Sequence, residues 1–296
     1  MPTPSPGDER VSVGDGASRG APDGARSGSP SALASGDDGA SGGVRGWLRR
    51  HVGGAPPTLD ERCWGEPFES SEVLAPLSTD ERARLRALAE RFVATRRFEC
   101  AGGLVLDDAM RARVALEACL PVLELGLEGY RRARSVLLYP AGFLVEQSWT
   151  DEAGVEHARE AELVGEAWEG GPVILAWDDV AAPLSGTNVV VHEFAHVLDA
   201  LNGRTNGFPP LGDAALARRW PLAFGAAYAD HVARVERGDE AFLDDYGAED
   251  EAEFFAVAVE TFFTWPENVA EGYPAVYDVL REYFRQDPLE RLAATG

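Results

Sequence analysis

The sequence predicts an α+β fold that is mostly helical, with a small β-sheet ahead of a helix that carries His-Glu-Phe-Ala-His. Two patterns support this fold class. Apolar residues recur at helical spacing in several long segments. Short apolar runs bounded by Gly or Pro, at about 136–139 and 173–177, are typical of buried strands. The chain has 296 residues and is 45% apolar, which is enough material for one large domain or two small ones.

The first predicted helix begins at a capping box and covers about residues 78–96. Ser78 can receive the backbone N–H of Glu81, and the Glu81 side chain can reach back to Ser78. Apolar residues then follow at helical spacing. A second helix is predicted over about 107–120, after a Gly-Gly break.

Strands and the motif helix follow in the second half of the chain. We expect strands at about 136–139, 142–149 and 173–177. The motif helix is predicted over 188–201 and ends at the pair Asn202-Gly203. The Gly/Pro-rich stretch after it, 203–212, is a candidate mobile cover for the site. Further helices are predicted at about 214–237, 252–263 and 275–284.

The first 57 residues differ in composition from the rest of the chain. They are rich in Gly, Ser, Pro and Asp and contain few large aliphatic residues. Such a segment cannot bury enough apolar area to offset its ordering entropy. We therefore predict that residues 1–57 form a disordered extension and linker, and that residues 58–296 form the functional domain.

Charge and cysteine content restrict the partners and the compartment. The net charge is −23, and every basic residue is Arg. A strongly acidic surface is unfavourable for direct binding to nucleic acid and for docking on anionic membranes. The three cysteines form neither a disulfide framework nor a metal-binding pair by their spacing. The chain also lacks a long apolar stretch and the pattern of a secretory signal, so we expect a cytoplasmic protein.

The motif itself has the spacing of a zinc site. His192 and His196 are four residues apart on one predicted helix, so both imidazoles lie on one face and can bind one Zn²⁺. Glu193 then lies beside the metal, where it can act as the general base for a metal-bound water. The alternative is that both histidines are satisfied core residues and that Glu193 is a surface or capping carboxylate.

The spacing leaves the rest of the metal site open. Asp199 could accept the free ring N–H of a ligand histidine, or it could be an acidic surface group near a helix end. No His stands three or six residues after His196. A carboxylate on the apolar helix predicted at 252–263, or at its acidic start, could supply the third ligand. Acidic residues also favour a helix N-terminus without any metal. The candidates are Glu251, Glu253 and Glu260.

At this level of detail the chain resembles the Mlc titration factor A family, a group of zinc-dependent peptidases of gluzincin type. The resemblance covers about residues 74–293. It depends on six segments: LPVLELGLE at 120–128, LYP at 138–140, GPVIL at 171–175, HEFAHVLD at 192–199, AEFFAV at 252–257 and QDPLERL at 286–292.

The resemblance implies a function and completes the site. It implies a zincin-like metallopeptidase domain with one Zn²⁺ per chain, and it indicates Glu253 as the third ligand. It also indicates Tyr246 as a catalytic residue, whose hydroxyl could donate to a developing oxyanion. The alternative for Tyr246 is a turn tyrosine before Gly247.

The family is associated with aminopeptidase-like cleavage of short peptides and with binding of the transcriptional repressor Mlc, so a peptide substrate and a Mlc-like repressor are the expected partners. The extension at residues 1–57 and the strong acidity depart from the family pattern. The alternative function is a non-enzymatic anti-repressor whose zinc site is structural or vestigial. A purely structural site needs four protein ligands and has no use for a base. The presence of Glu193 therefore favours the peptidase.

Overall fold

The computed structural model describes residues 58–141, 144–150, 156–162 and 171–295. The predicted extension at residues 1–57 lies outside these ranges, and the boundary at residue 58 stays a prediction. Most of the described residues are helical, and the remainder includes a small parallel sheet and a two-stranded hairpin. The predicted α+β, mostly helical architecture with strands ahead of the motif helix is therefore confirmed.

The described part of the chain contains ten α-helices and five strands. The elements are α1 (Pro67–Ser70), α2 (Thr79–Thr95), β1 (Arg97–Cys100), α3 (Asp108–Cys119), β2 (Ser135–Tyr139), β3 (Leu144–Thr150), β4 (Glu156–Glu162), β5 (Val173–Ala176), α4 (Trp177–Ala181), α5 (Val189–Asp199), α6 (Ala214–Arg237), α7 (Glu251–Thr264), α8 (Pro266–Gly272), α9 (Pro274–Phe284) and α10 (Pro288–Thr295). Short 3₁₀ helices cover Glu61–Trp64, Leu127–Tyr130, Ala200–Asn202 and Asp245–Ala248.

Three strands form a parallel sheet in the order β1-β2-β5. Phe98 of β1 lies beside Val136 of β2, and Val136 lies beside Val173 of β5. Parallel neighbours need a crossover connection, and α3 lies in the connection from β1 to β2. Strands β3 and β4 pair with each other as an antiparallel hairpin. Within the described residues, β5 pairs on one side only and is an edge of the parallel sheet.

The first two long helices begin where the sequence places their caps. The Ser78 hydroxyl accepts from the Glu81 N–H, and the Glu81 carboxylate accepts from the Ser78 N–H, which completes the capping box. At the next helix, the Asp107 side chain accepts from the Met110 N–H. The buried face of α2, which includes Leu85 and Phe92, packs against α3.

The motif helix α5 lies at the centre of the core. Asn188 caps it by accepting from the Val191 N–H, and every residue from Val190 to Asp199 is buried. The β-branched residues at its start have modest helix propensity, so burial rather than propensity stabilises this helix. It packs against α3, α7 and β5. These contacts bring the motif face to face with α7, the helix that starts with the acidic segment.

None of the helices in the described ranges is both long and apolar enough to cross a membrane.

Candidate metal centre

Helix α5 presents both motif histidines on one buried face. Their rings are 5.0 Å apart between centroids and lie nearly edge to face. His192 is 7% exposed and His196 is 2% exposed. Imidazoles this deeply buried require polar partners, which the neighbouring helix α7 supplies.

Glu253, in the first turn of α7, reaches both histidines. Its Oε2 atom is 3.3 Å from Nε2 of His192 and 3.3 Å from Nε2 of His196. The side chain of Asp250 caps α7 by accepting from the N–H groups of Ala252 and Glu253, which fixes where the Glu253 side chain leaves the helix. One ligand atom from each of the three residues thus lies within 4.8 Å of the others.

The geometry of these three atoms fits a shared metal ion better than a set of hydrogen bonds. Glu253 Oε2 is buried, yet within the described residues neither 3.3 Å approach has hydrogen-bond geometry. A buried carboxylate oxygen without a hydrogen bond is costly. Two imidazole nitrogens and a carboxylate oxygen are also a donor set that suits zinc. Three protein ligands, rather than four, is the number that catalytic zinc sites use.

Glu193 lies next to this group on α5 and is 5% exposed. Burial raises the pKa of its carboxyl above the ordinary range, although His192 and His196 partly offset the rise. A carboxylate with a raised pKa is better matched to proton transfer near neutral pH than an exposed one.

Glu260, two turns after Glu253 on α7, holds the opposite side of the His192 ring. Its Oε2 atom is 3.0 Å from Nδ1 of His192. Its Oε1 atom accepts from the backbone N–H of Asn188 at 2.5 Å. The carboxylate therefore favours hydrogen on Nδ1, so that Nε2 is the nitrogen available to a metal ion.

The charges of the metal-free site are coupled. Burial alone would lower the pKa of His192, but Glu253 and Glu260 more than offset this and raise it to about 10. Burial alone would raise the pKa of Glu253, but the two histidines lower it to about 2. At neutral pH and without metal, His192 is therefore protonated and forms an ion pair with the ionised Glu253.

Tyr246 lies in the 3₁₀ helix Asp245–Ala248, directly before α7. Its ring is 6.1 Å from the His192 ring between centroids. His231 of α6 is fully buried beneath this segment, with Nε2 3.1 Å from the carbonyl oxygen of Asp244. A Cβ atom at position 247 would lie 3.3 Å from that Nε2 atom, so Gly247 permits the close packing. Tyr246 thus lies near His192, and its catalytic role stays a prediction.

Asp199 fastens the loop that follows α5. It is fully buried, and its two oxygens accept from the backbone N–H groups of Asn206, Gly207 and Phe208 at 2.6–2.8 Å. The indole of Trp220 also donates to the Gly207 carbonyl. A cover formed by 203–212 would therefore have to hinge outside 206–208. The predicted role of Asp199 beside a ligand histidine stays a prediction.

The sequence left open which of three carboxylates is the third metal ligand, and the structure places them in three different positions. Glu253 lies at both histidines, Glu260 lies behind His192, and Glu251 is exposed at the start of α7. The role of Glu260 in orienting a histidine was not foreseen. The spacing from Glu253 to Glu260 is two helical turns, and this spacing could have shown that the two carboxylates share a face. Of the other histidines, His51 and the side chain of His157 lie outside the described residues.

Comparison with known proteins shows which family the chain belongs to. The family described as glucose-regulated metallo-peptidase M90 matches residues 45–285, which is more than half of the chain. A protein of Salmonella arizonae named Mlc titration factor A is 41% identical over 227 residues, covering 74% of this chain and 89% of that relative. Relatives of the same name from Salmonella gallinarum and Salmonella typhimurium are 41% identical over 231 residues, covering 76% of this chain and 86% of each relative. The chain therefore belongs to the glucose-regulated metallo-peptidase M90 family.

Proposed function

We propose that this protein is a zinc-dependent peptidase with a zincin-like domain, which holds one Zn²⁺ through His192, His196 and Glu253. The observation that carries the proposal is the convergence of two buried imidazole nitrogens on one carboxylate oxygen at 3.3 Å each. Membership of a metallo-peptidase family supports the presence of a metal. Zinc is the metal that best suits two neutral imidazoles and a carboxylate in a catalytic site.

When bound, the zinc ion supplies Lewis-acid polarisation of a carbonyl and lowers the pKa of a coordinated water. Glu193 is the general base. It is buried, its carboxyl pKa is raised, and it lies one residue from a ligand. It takes a proton from the attacking water and delivers it to the leaving amine. The ring of Tyr246 lies 6.1 Å from that of His192, and we propose that its hydroxyl donates to the developing oxyanion.

Two further carboxylates position the proposed metal ligands. Glu260 orients His192 through Nδ1. We propose that Asp199 supports the ligand His196 from the end of the same helix, and its backbone hydrogen bonds fix the loop after it. Strand β5 packs against α5, and within the described residues one of its edges is unpaired, so an extended peptide can pair with it. This supports a peptide as substrate, and the family resemblance supports aminopeptidase-like cleavage of short peptides.

The test is hydrolysis of a panel of short peptides by the zinc-loaded protein. We expect cleavage of peptides with a free N-terminus and little cleavage of their acetylated counterparts. Glu193→Gln should bind zinc as tightly as wild type and lose at least about 100-fold in kcat, because it cannot accept the proton. The exposed Glu249→Gln variant is the matched control and should keep full activity. Equal activity of Glu193→Gln and wild type at equal zinc content would refute the assigned base.

A second function is favoured by the name of the relatives, which states that they titrate Mlc. We propose that this chain also binds a Mlc-like repressor and so acts in transcription regulation. The alternative is a non-enzymatic anti-repressor with a structural or vestigial metal site. It predicts that Glu193→Gln binds the repressor as wild type does and that the zinc-loaded wild type hydrolyses no peptide.

The three cysteines are free thiols in the structure, which supports the proposal of a reducing, cytoplasmic location.

A further inference from the structure

A cluster of five arginines lies at the N-terminal edge of the parallel sheet, in a chain whose net charge is −23. The arginine cluster consists of Arg96, Arg97, Arg131, Arg132 and Arg134. Arg96 directly precedes β1, Arg97 is the first residue of β1, and the other three residues precede β2. Since β1 and β2 are parallel neighbours, both groups meet at the same edge. The backbone N–H of Arg97 donates to the Arg134 carbonyl at 3.0 Å, which fixes the two groups together.

The cluster carries little compensating negative charge. Within the described residues, Arg131, Arg132 and Arg134 form no ion pair, and Arg97 has only a 3.8 Å approach to Glu99. Arginines elsewhere, such as Arg84 and Arg234, contact carboxylates at 2.5–2.6 Å. In a protein with 50 acidic residues, these exposed arginines thus lie side by side without a close carboxylate among the described residues.

The guanidinium of Arg96 lies over the Phe92 ring at 5.4 Å and forms no ion pair within the described residues. Its Nη2 donates to the Tyr130 carbonyl, while its buried Nε has no hydrogen-bond partner in the described residues. Burial lowers the pKa of this guanidinium, and the neighbouring charge of Arg134 lowers it further. An anion near the cluster would favour the charged form of this guanidinium.

Four of the five side chains are available to a partner. Arg97, Arg131, Arg132 and Arg134 are exposed, and Arg96 is half-buried. Arg132 also has a structural role, since its Nη1 donates to the carbonyl of Ala200, the residue directly after α5. The remaining three exposed guanidinium groups present planar donor forks that match carboxylates.

We propose that the arginine cluster is a docking surface for a short acidic segment, rich in Asp and Glu, of a protein partner. A short segment needs to cover only the cluster itself. A nucleic acid would continue its row of phosphates onto the surrounding acidic surface, where repulsion opposes binding. A flat anionic membrane would meet the same surface. The size of the cluster and the charge around it thus favour a short carboxylate-rich peptide.

The test uses a fluorescent oligoglutamate peptide as the probe and the full chain at about 0.15 M salt, where exposed charges beyond about 8 Å are screened. We expect saturable binding to wild type. The triple variant Arg97→Gln, Arg131→Gln, Arg134→Gln should bind at least about tenfold more weakly, because three charge-assisted contacts are lost. The control triple variant Arg62→Gln, Arg218→Gln, Arg237→Gln changes the net charge equally and should bind as wild type does.

A third variant distinguishes the contribution of the planar guanidinium donors to binding from that of the positive charge. Replacing Arg97, Arg131 and Arg134 with Lys keeps the charge and loses the bidentate geometry, so we expect intermediate binding. The proposal is overturned if the probe does not bind, or if both Gln triple variants bind it equally. Tighter binding of a single-stranded oligonucleotide of equal charge would also overturn it. A wild-type dimer that dissociates in the cluster variant would instead identify a second copy as the partner and overturn the proposal.

Discussion

Replacement of Glu260 by Gln probes how α7 prepares the metal site. Glu260 Oε1 accepts from the Asn188 N–H and Oε2 lies 3.0 Å from Nδ1 of His192. If the Gln oxygen keeps the Asn188 contact, its NH₂ group faces Nδ1. The ring must then accept at Nδ1 and carry its hydrogen on Nε2, the nitrogen that would bind the metal.

The expected size of the effect follows from this change. Loss of a carboxylate behind a ligand histidine lowers metal affinity by about 10- to 100-fold, which is about 1.4 to 2.7 kcal/mol. We expect the larger value, because Gln selects the wrong tautomer as well as removing the charge. Competition with a chromogenic zinc chelator measures the affinity directly. The matched control is Glu249→Gln, which removes an exposed carboxylate outside the site. A zinc affinity of Glu260→Gln within about twofold of wild type would refute the reasoning.

Two further predictions concern the loop and the protonation of the site. Asp199→Ala removes the acceptor of three backbone N–H groups and should lower the free energy of unfolding by about 2 to 4 kcal/mol in urea denaturation. A loss below about 0.5 kcal/mol would contradict this role. Zinc binding at pH 7 should release about one proton, because the pKa of metal-free His192 is raised to about 10 while that of Glu253 is lowered to about 2. Calorimetry in buffers of different ionisation enthalpy measures this proton, and a release near zero would contradict the ion pair.

The raised pKa of His192 also determines how the stability of the metal-free protein depends on pH. The pKa of His192 is raised from 6.5 in the unfolded chain to about 10 in the folded chain. Its ion pair with Glu253, whose pKa is lowered from 4.5 to about 2, therefore stabilises the fold fully between about pH 4.5 and 6.5. This contribution is lost as the pH rises through about 10, where His192 deprotonates, or falls through about 2, where Glu253 is protonated. Zinc affinity should rise as the pH rises towards about 10, since the metal displaces the proton.

The sequence predicted the long elements well and the short ones poorly. The capping box at Ser78, the Gly203 stop and the apolar periodicity located α2, α5, α6 and α7 within one or two residues. Strands β1 and β4 and the short helices α1, α4, α8 and α10 were not predicted. Four residues such as Arg97–Cys100 carry too little periodicity to mark a strand, and their pairing with β2 depends on distant residues.

The candidate site was likewise only partly predictable from the sequence. The i, i+4 spacing of His192 and His196 fixes their common face within one helix, so local sequence was sufficient. The third carboxylate depends on how α7 packs against α5, which spacing alone does not determine. The structure directs Glu253 towards Nε2 and Glu260 towards Nδ1 of His192. Which nitrogen each carboxylate approaches is a property of the packed helices.

The central claim is that His192, His196 and Glu253 form a zinc site. Elemental analysis of the purified chain, after dialysis against metal-free buffer and reloading with one equivalent of zinc, tests it most directly. The account predicts about one tightly held zinc per chain in wild type. In Glu253→Ala, binding should be at least about 100-fold weaker, while Glu251→Ala should bind as wild type does. Wild type without retained zinc, or Glu253→Ala with unaltered zinc binding, would contradict the account.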